Sequence, residues 1–252
     1  MRVWDGVIQA MRSLQLGKLE SRIARRFWVG AMLAALWIVT GCVAETELPA
    51  DEKAIRITRY VKEAEAIEDE IKNSQSTPEP DPLNVVIAKM RKAEALYRRA
   101  VILAPDSAKP RLALARCLYR IASFYALEED QIAGRIRAIV DKGGTADAKL
   151  ERQRSEARDQ AREYARISNL EFDRYIPSAG KLPYAHLWLD VARNHKVLEN
   201  WDLAARAIQL FLKNPDVPKS DRPYFENLMR EYQNKAIEAV DAGEDAKSRE
   251  KS

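Results

Sequence analysis

Apolar residues recur along this chain at helical spacing, and little else in it competes with that pattern. Ile57, Tyr60, Ala64, Ile67 and Ile71 follow one another at intervals of three and four, so they fall on one face of a helix. Val86, Met90, Ala93, Tyr97, Ala100 and Leu103 do the same a little further on. Between them Pro78, Pro80 and Pro82 crowd into five positions, and no helix runs through such a stretch. After residue 41 the only glycines are Gly134, Gly143, Gly144, Gly180 and Gly243. Sparse glycine with abundant Ala, Leu, Glu, Lys and Arg favours helix over sheet. The fold class that follows is all-α.

The periodicity divides the chain into helices with short links. The first is expected over about Asp51–Asn73 and the second over Leu83–Leu103, closed by Pro105. A third starts after Ser107 or Pro110 and runs towards Tyr125, and a fourth covers about Glu128–Val140, stopped by Gly143 and Gly144. A long helix from Ala146 to Tyr175 follows, its charged first half from Glu151 to Glu163 projecting into water. Helices over about Tyr184–Leu198, Asp202–Lys213 and Pro223–Val240 complete the body, and residues 241–252 read as a disordered polar tail. Helices so joined pack as antiparallel hairpins stacked in series.

The N-terminal 41 residues have a different character. Phe27 to Val39 is an unbroken apolar run, preceded by Arg22, Arg25 and Arg26. A basic flank, a short apolar stretch and small residues after it make an export signal. The run falls short of the ~20 residues that a membrane span needs. At its end Val39-Thr40-Gly41-Cys42 resembles the lipobox of bacterial lipoproteins. The resemblance implies diacylglyceryl transfer to the Cys42 thiol, cleavage after Gly41 and anchoring by more than one acyl chain, which holds a protein stably where a single chain does not. Val43 rather than Asp follows the cysteine, which implies passage to the periplasmic leaflet of the outer membrane. The 26 residues ahead of the apolar run make Met11 an alternative start. Residues 1–41 therefore read as a signal peptide, 42–50 as a tether and 51–240 as the helical domain. Fully extended, Val43–Ala50 spans only ~26 Å.

Charge bears on partners. The chain has 42 Lys and Arg against 38 Asp and Glu, and residues 1–41 hold six of those cations and two of those anions. The remainder is balanced at 36 of each, which argues against nucleic acid as a partner. Cys42 and Cys117 are the two cysteines. With Cys42 acylated, Cys117 has no partner for a disulfide and reads as a buried, inert thiol.

Internal repeats carry a second resemblance. Trp188, Val191, Ala192 and His195, followed by Trp201, Ala204, Ile208, Phe211 and Pro215, resemble one tetratricopeptide repeat in spacing. Departures are His195 for an aromatic, Phe211 for a small residue and a proline one position early. Ala93, Tyr97, Ala100 and Pro105 match the second helix of such a repeat, and Leu114, Ala115 and Leu118 the start of another first helix. Ala93 and Ala204 lie 111 residues apart, where three repeats of about 34 residues would give about 102. The expected architecture is thus a tetratricopeptide-like solenoid, irregular in the middle. The resemblance implies a concave groove lined by first helices: Lys109, Arg116 and Arg120 from one repeat, His186, Arg193 and Lys196 from another. A positive lining would suit a protein partner with an acidic segment or a C-terminal carboxylate.

Signs of chemistry are few. His186 and His195, the only histidines, are nine residues apart and lack the i, i+4 spacing of a metal pair. Neither a phosphate-cradling glycine loop nor a catalytic motif appears, so no cofactor, no metal and no enzymatic activity is expected. The function implied is a membrane-anchored scaffold or adaptor in a bacterial cell envelope. The alternative is a helical envelope protein with a carbohydrate-binding, peptidoglycan-binding or hydrolytic cleft, for which Trp188 and Trp201 are the tryptophans left after residue 41.

Overall fold

A computed structural model describes residues 48–178 and 185–249. Cys42 and the leader lie outside the described residues. The described residues form seven helices and no strand: α1 (Ala50–Gln75), α2 (Leu83–Leu103), α3 (Ala108–Val140), α4 (Ala148–Ser178), α5 (Ala185–Val197), α6 (Trp201–Lys213) and α7 (Arg222–Arg249). The chain is all-α, as its periodicity predicts. No described helix is long and apolar enough to cross a membrane.

The first two helices follow the sequence closely. α1 buries Tyr60, Val61, Ala64 and Ile71 and carries Asp51 and Glu52 in its first turn and Lys72 in its last, the charge order that suits a helix dipole. α2 buries Val86, Met90, Ala93, Tyr97, Ala100 and Leu103. The proline-rich link is pinned rather than loose. The Ser74 hydroxyl accepts the Asp81 amide at 3.0 Å, and Lys89 reaches both Asp81 and Glu70 at 2.7 Å.

Two expectations fail in the middle of the chain. α3 is one helix of 33 residues, with no break between Tyr125 and Glu128. The apolar pattern thins there, yet Ala126, Leu127, Glu128 and Glu129 are good helix formers and no Gly or Pro intervenes before Gly134. The helix ends where Gly143 takes φ +78°, and the Gly144 amide returns to the Ile139 carbonyl at 3.0 Å. The charged first half of α4 does not stand free in water either. Ala157 and Ala161 are buried, and Ala157 packs with Ile132 and Ile136 of α3. Arg158 binds Glu129 across the same seam at 2.7 Å. At the other end of the chain α7 continues beyond Val240 to Arg249.

Each helix packs on its neighbours in sequence, α3 on α4 most extensively, and α3 also touches α5. One core cluster joins α1, α2 and the first half of α3 to Tyr164 and Ala165 of α4. A second gathers Phe172 and Tyr175 of α4 with α5, α6, Val217 and Tyr232. Both are rich in alanine, which lets helix backbones approach closely.

Candidate functional site

α3, α5 and α7 bring the expected cations and several unforeseen residues onto adjoining surfaces. Along α3, Arg116, Tyr119, Arg120, Ser123 and Leu127 follow one another at helical spacing. Along α5, His186, Asp190, Arg193 and Lys196 do the same.

The cations do not form the free positive lining that their spacing suggests. Arg120 is paired with Glu68 of α1 at 2.6 Å. Arg116 approaches Asp190 of α5 at 3.8 Å, and Arg193 reaches the same carboxylate at 3.9 Å. Burial pushes the carboxyls of Glu68 and Asp190 up from their ordinary range, against the pull of Arg120 on the first and of Arg116 and Arg193 on the second. His186 is exposed, its ring 6.3 Å from Phe211. Lys109 is exposed at the first turn of α3 and lines neither of the two cavities that Arg193 and Lys196 border. A row of ion pairs between alternate helices therefore takes up Arg116 and Arg120.

Arg193 and Lys196 differ. Both line two neighbouring cavities. The larger, of about 450 Å³, is bounded by Tyr119, Ser123 and Leu127 of α3, Arg158 of α4, and Trp201 at the start of α6. Its acids are partly spoken for, with Glu129 held by Arg158 and Glu199 by Arg162 at 2.7 Å each. The smaller, of about 230 Å³, lies between α5, α6 and α7, floored by Leu189, Ala192, Ile208, Phe225 and Leu228. Tyr224 and Tyr232 complete it, and no carboxylate lines it. Phe225 meets Phe211 edge to face at 4.6 Å, which fixes the floor. Arg193 donates to the Tyr119 hydroxyl at 3.1 Å. Tyr224 is 67% exposed at the smaller cavity and Leu127 46% at the larger, so each cavity of this trench has a large side chain open to solvent.

Trp188 and Trp201 are both half-buried against the second core cluster. Trp201 faces Tyr232 at 5.7 Å, with Lys235 over its ring at 4.8 Å. Cys117 is fully buried, its thiol pushed well up by burial and lying 3.7 Å from the Met90 carbonyl. Among the described residues no group of His, Cys, Asp and Glu could hold a metal ion.

Behind the trench a buried polar network ties three helices together. Asn194 donates to Ser168 at 2.8 Å and to the Asn169 carbonyl oxygen at 3.0 Å, and Ser168 donates to the Ala115 carbonyl at 2.8 Å. Asn169 approaches the half-buried His195 ring at 3.4 Å. Burial depresses the His195 imidazole below its ordinary value, with Asp173 opposing. A histidine depressed in this way contributes stability above its unfolded value of about 6.5, and that contribution is lost as pH falls through the folded value. His195→Gln, which keeps an acceptor for Asn169, is expected to flatten the fall of the urea midpoint between pH 7 and 5. An unchanged slope would exclude the imidazole as its source.

Set against protein-family models, curated proteins and solved structures, the chain matches none.

Proposed function

We propose that this protein is a lipid-anchored, tetratricopeptide-like scaffold that binds a protein partner in a bacterial cell envelope. The observation that carries the reading is the trench at Arg193 and Lys196, where two cavities adjoin and exposed Leu127 and Tyr224 flank them. Large side chains left open to solvent beside a concave, partly apolar surface favour docking of a protein partner over plain exposure to water. Packing of each helix on its sequence neighbours and alanines at helix crossings favour hairpins stacked as in tetratricopeptide repeats. The lipobox at Val39-Thr40-Gly41-Cys42 favours acylation of Cys42 and residence at the periplasmic leaflet of the outer membrane.

Two measurements test this. Cys42→Ala is expected to abolish incorporation of labelled fatty acid and to release the protein from the membrane fraction. A photo-crosslinking residue at Leu127 or at Tyr224 is expected to trap the same discrete protein in the native host, while one at Ile55, 68% exposed on α1, traps none. Retained acylation in the cysteine variant would refute the anchor. Equal crosslinking from all three positions would refute the docking face.

A further inference from the structure

Resting on the lipid-anchor reading, we propose that the outward face of α2 lies along the anionic phospholipid surface to which the chain is tethered.

A second stripe on α2 defines that face. Val85, Ala88, Lys92, Ala95, Arg99 and Ile102 follow one another at intervals of three and four, on the side of the helix away from the stripe that α2 buries. All six are exposed, Val85 at 36% and Ile102 at 41%. The stripe runs about 25 Å along the helix, and it carries no acid. α2 as a whole holds Lys89, Arg91, Lys92, Arg98 and Arg99 against Glu94 alone, in a body whose charges balance overall. Arg98 answers Glu94, and Lys89 turns to Asp81 and Glu70, each at 2.7 Å. Lys92 and Arg99, the two cations of the stripe, have no ion pair among the described residues.

Such a face differs from one that meets only water. On α4 the exposed Arg166 and Glu163 stand side by side as a pair. An acid-free stripe with a branched apolar residue at either end instead suits a surface that is anionic outside and apolar beneath. Val85 and Ile102 can sink below the headgroups, while the long stems of Lys92 and Arg99 let their charged heads stay among them. Two copies of this chain that covered the stripe for each other would set cations against cations.

The tether brings a bilayer within reach of this face. Arg99 lies over the Tyr60 ring at 5.9 Å, and Lys89 reaches Glu70 at 2.7 Å. α1 and α2 therefore run antiparallel, and Ile102 sits near the beginning of α1, where the tether from Cys42 joins. The ~26 Å that the tether can span exceeds the roughly 8–10 Å between neighbouring helices. A contact too weak to hold a free protein suffices once a tether keeps the two surfaces together.

The test uses the full acylated protein in vesicles of phosphatidylethanolamine and phosphatidylglycerol. With Cys42 acylated and Cys117 fully buried, an introduced cysteine is the one thiol open to an environment-sensitive fluorophore. Ala95→Cys places it on the stripe, and Ile237→Cys, at a 60% exposed position of α7, serves as control. Quenching by lipids brominated along their acyl chains is expected to be about three-fold stronger from position 95 than from position 237, as for a face sunk roughly 5–10 Å into the interface. Lys92→Glu with Arg99→Glu is expected to remove that excess while the protein stays in the vesicle fraction, and vesicles of phosphatidylcholine alone are expected to do the same. Circular dichroism confirms that each variant is folded. Equal quenching from the two positions would overturn the proposal, as would an excess that survives the charge reversal. A blue-shifted but unquenched fluorophore at position 95 would also overturn it, by showing that protein and not lipid covers the stripe. Protein lost from the vesicles would refute the anchor and this contact together, whereas protein retained without the excess quenching refutes the contact alone.

Discussion

Glu171→Ala is expected to destabilise the helical domain by about 3–5 kcal/mol, the loss that follows when one member of a buried ion pair is removed. Glu171 of α4 is 7% exposed and binds Arg111 of α3 at 2.7 Å. Arg111 is itself mostly covered, at 13% of its side chain, and also donates to the Pro105 carbonyl at the turn from α2. Removing the carboxylate leaves a covered guanidinium with a single carbonyl to answer it. Replacing both partners with methionine, which fills much of the same space without charge, is expected to recover most of the loss. Urea unfolding of the single and double variants measures both. A double variant as unstable as Glu171→Ala would show that shape, and not unpaired charge, sets the penalty.

Phe172→Ala, one residue along, should cost about as much for a different reason. Phe172 is fully buried in the second core cluster, among Ala115, Ala185, Leu187 and Ala192. Emptying such a site loses the transfer free energy of the ring and leaves a cavity, together about 3–5 kcal/mol. Alanine is frequent in that cluster and has little side chain to move into a gap, so the upper part of that range is expected. Phe172→Leu should restore much of the stability, and changes at Arg111 should restore none. Similar rescue of both alanine variants by Arg111→Met would mean that the two sites act as one.

At α2 the breakers make sequence and structure agree to the residue, whereas α4 runs through Pro177 to Ser178. α2 runs from Leu83 to Leu103 because Pro82 precedes it and Pro105 follows. Where breakers are lacking, polarity misleads. The change from apolar to charged residues after Tyr125 imitates a break between two helices, but helix formers without Gly or Pro simply continue α3 through Glu128. The stripe that docks the first half of α4 on α3 depends on Ala157 and Ala161, whose methyl groups leave a faint apolar signal among arginines and glutamates. The site divides in the same way. Arg193 and Lys196 are legible from repeat spacing. The acids that take up Arg120 and Arg116 are not, since Glu68 and Asp190 meet them across 52 and 74 residues of chain. Tyr224, Phe225 and Leu228 of α7 belong to no recognised repeat, so only packing brings them to α5.

Helices that lean chiefly on the ones beside them in sequence are coupled like links in series. Damage to one link need not spread evenly. A substitution in α7 weakens its hold on α6 before α1 and α2 are affected, and the converse holds for α1. Such a body can fray at one end while keeping its middle, where α3 and α4 grip each other over their length. The pocket between α5, α6 and α7 therefore depends on the last link of the series for its shape. Whatever steadies α7 on α6 would hold that end of the series together.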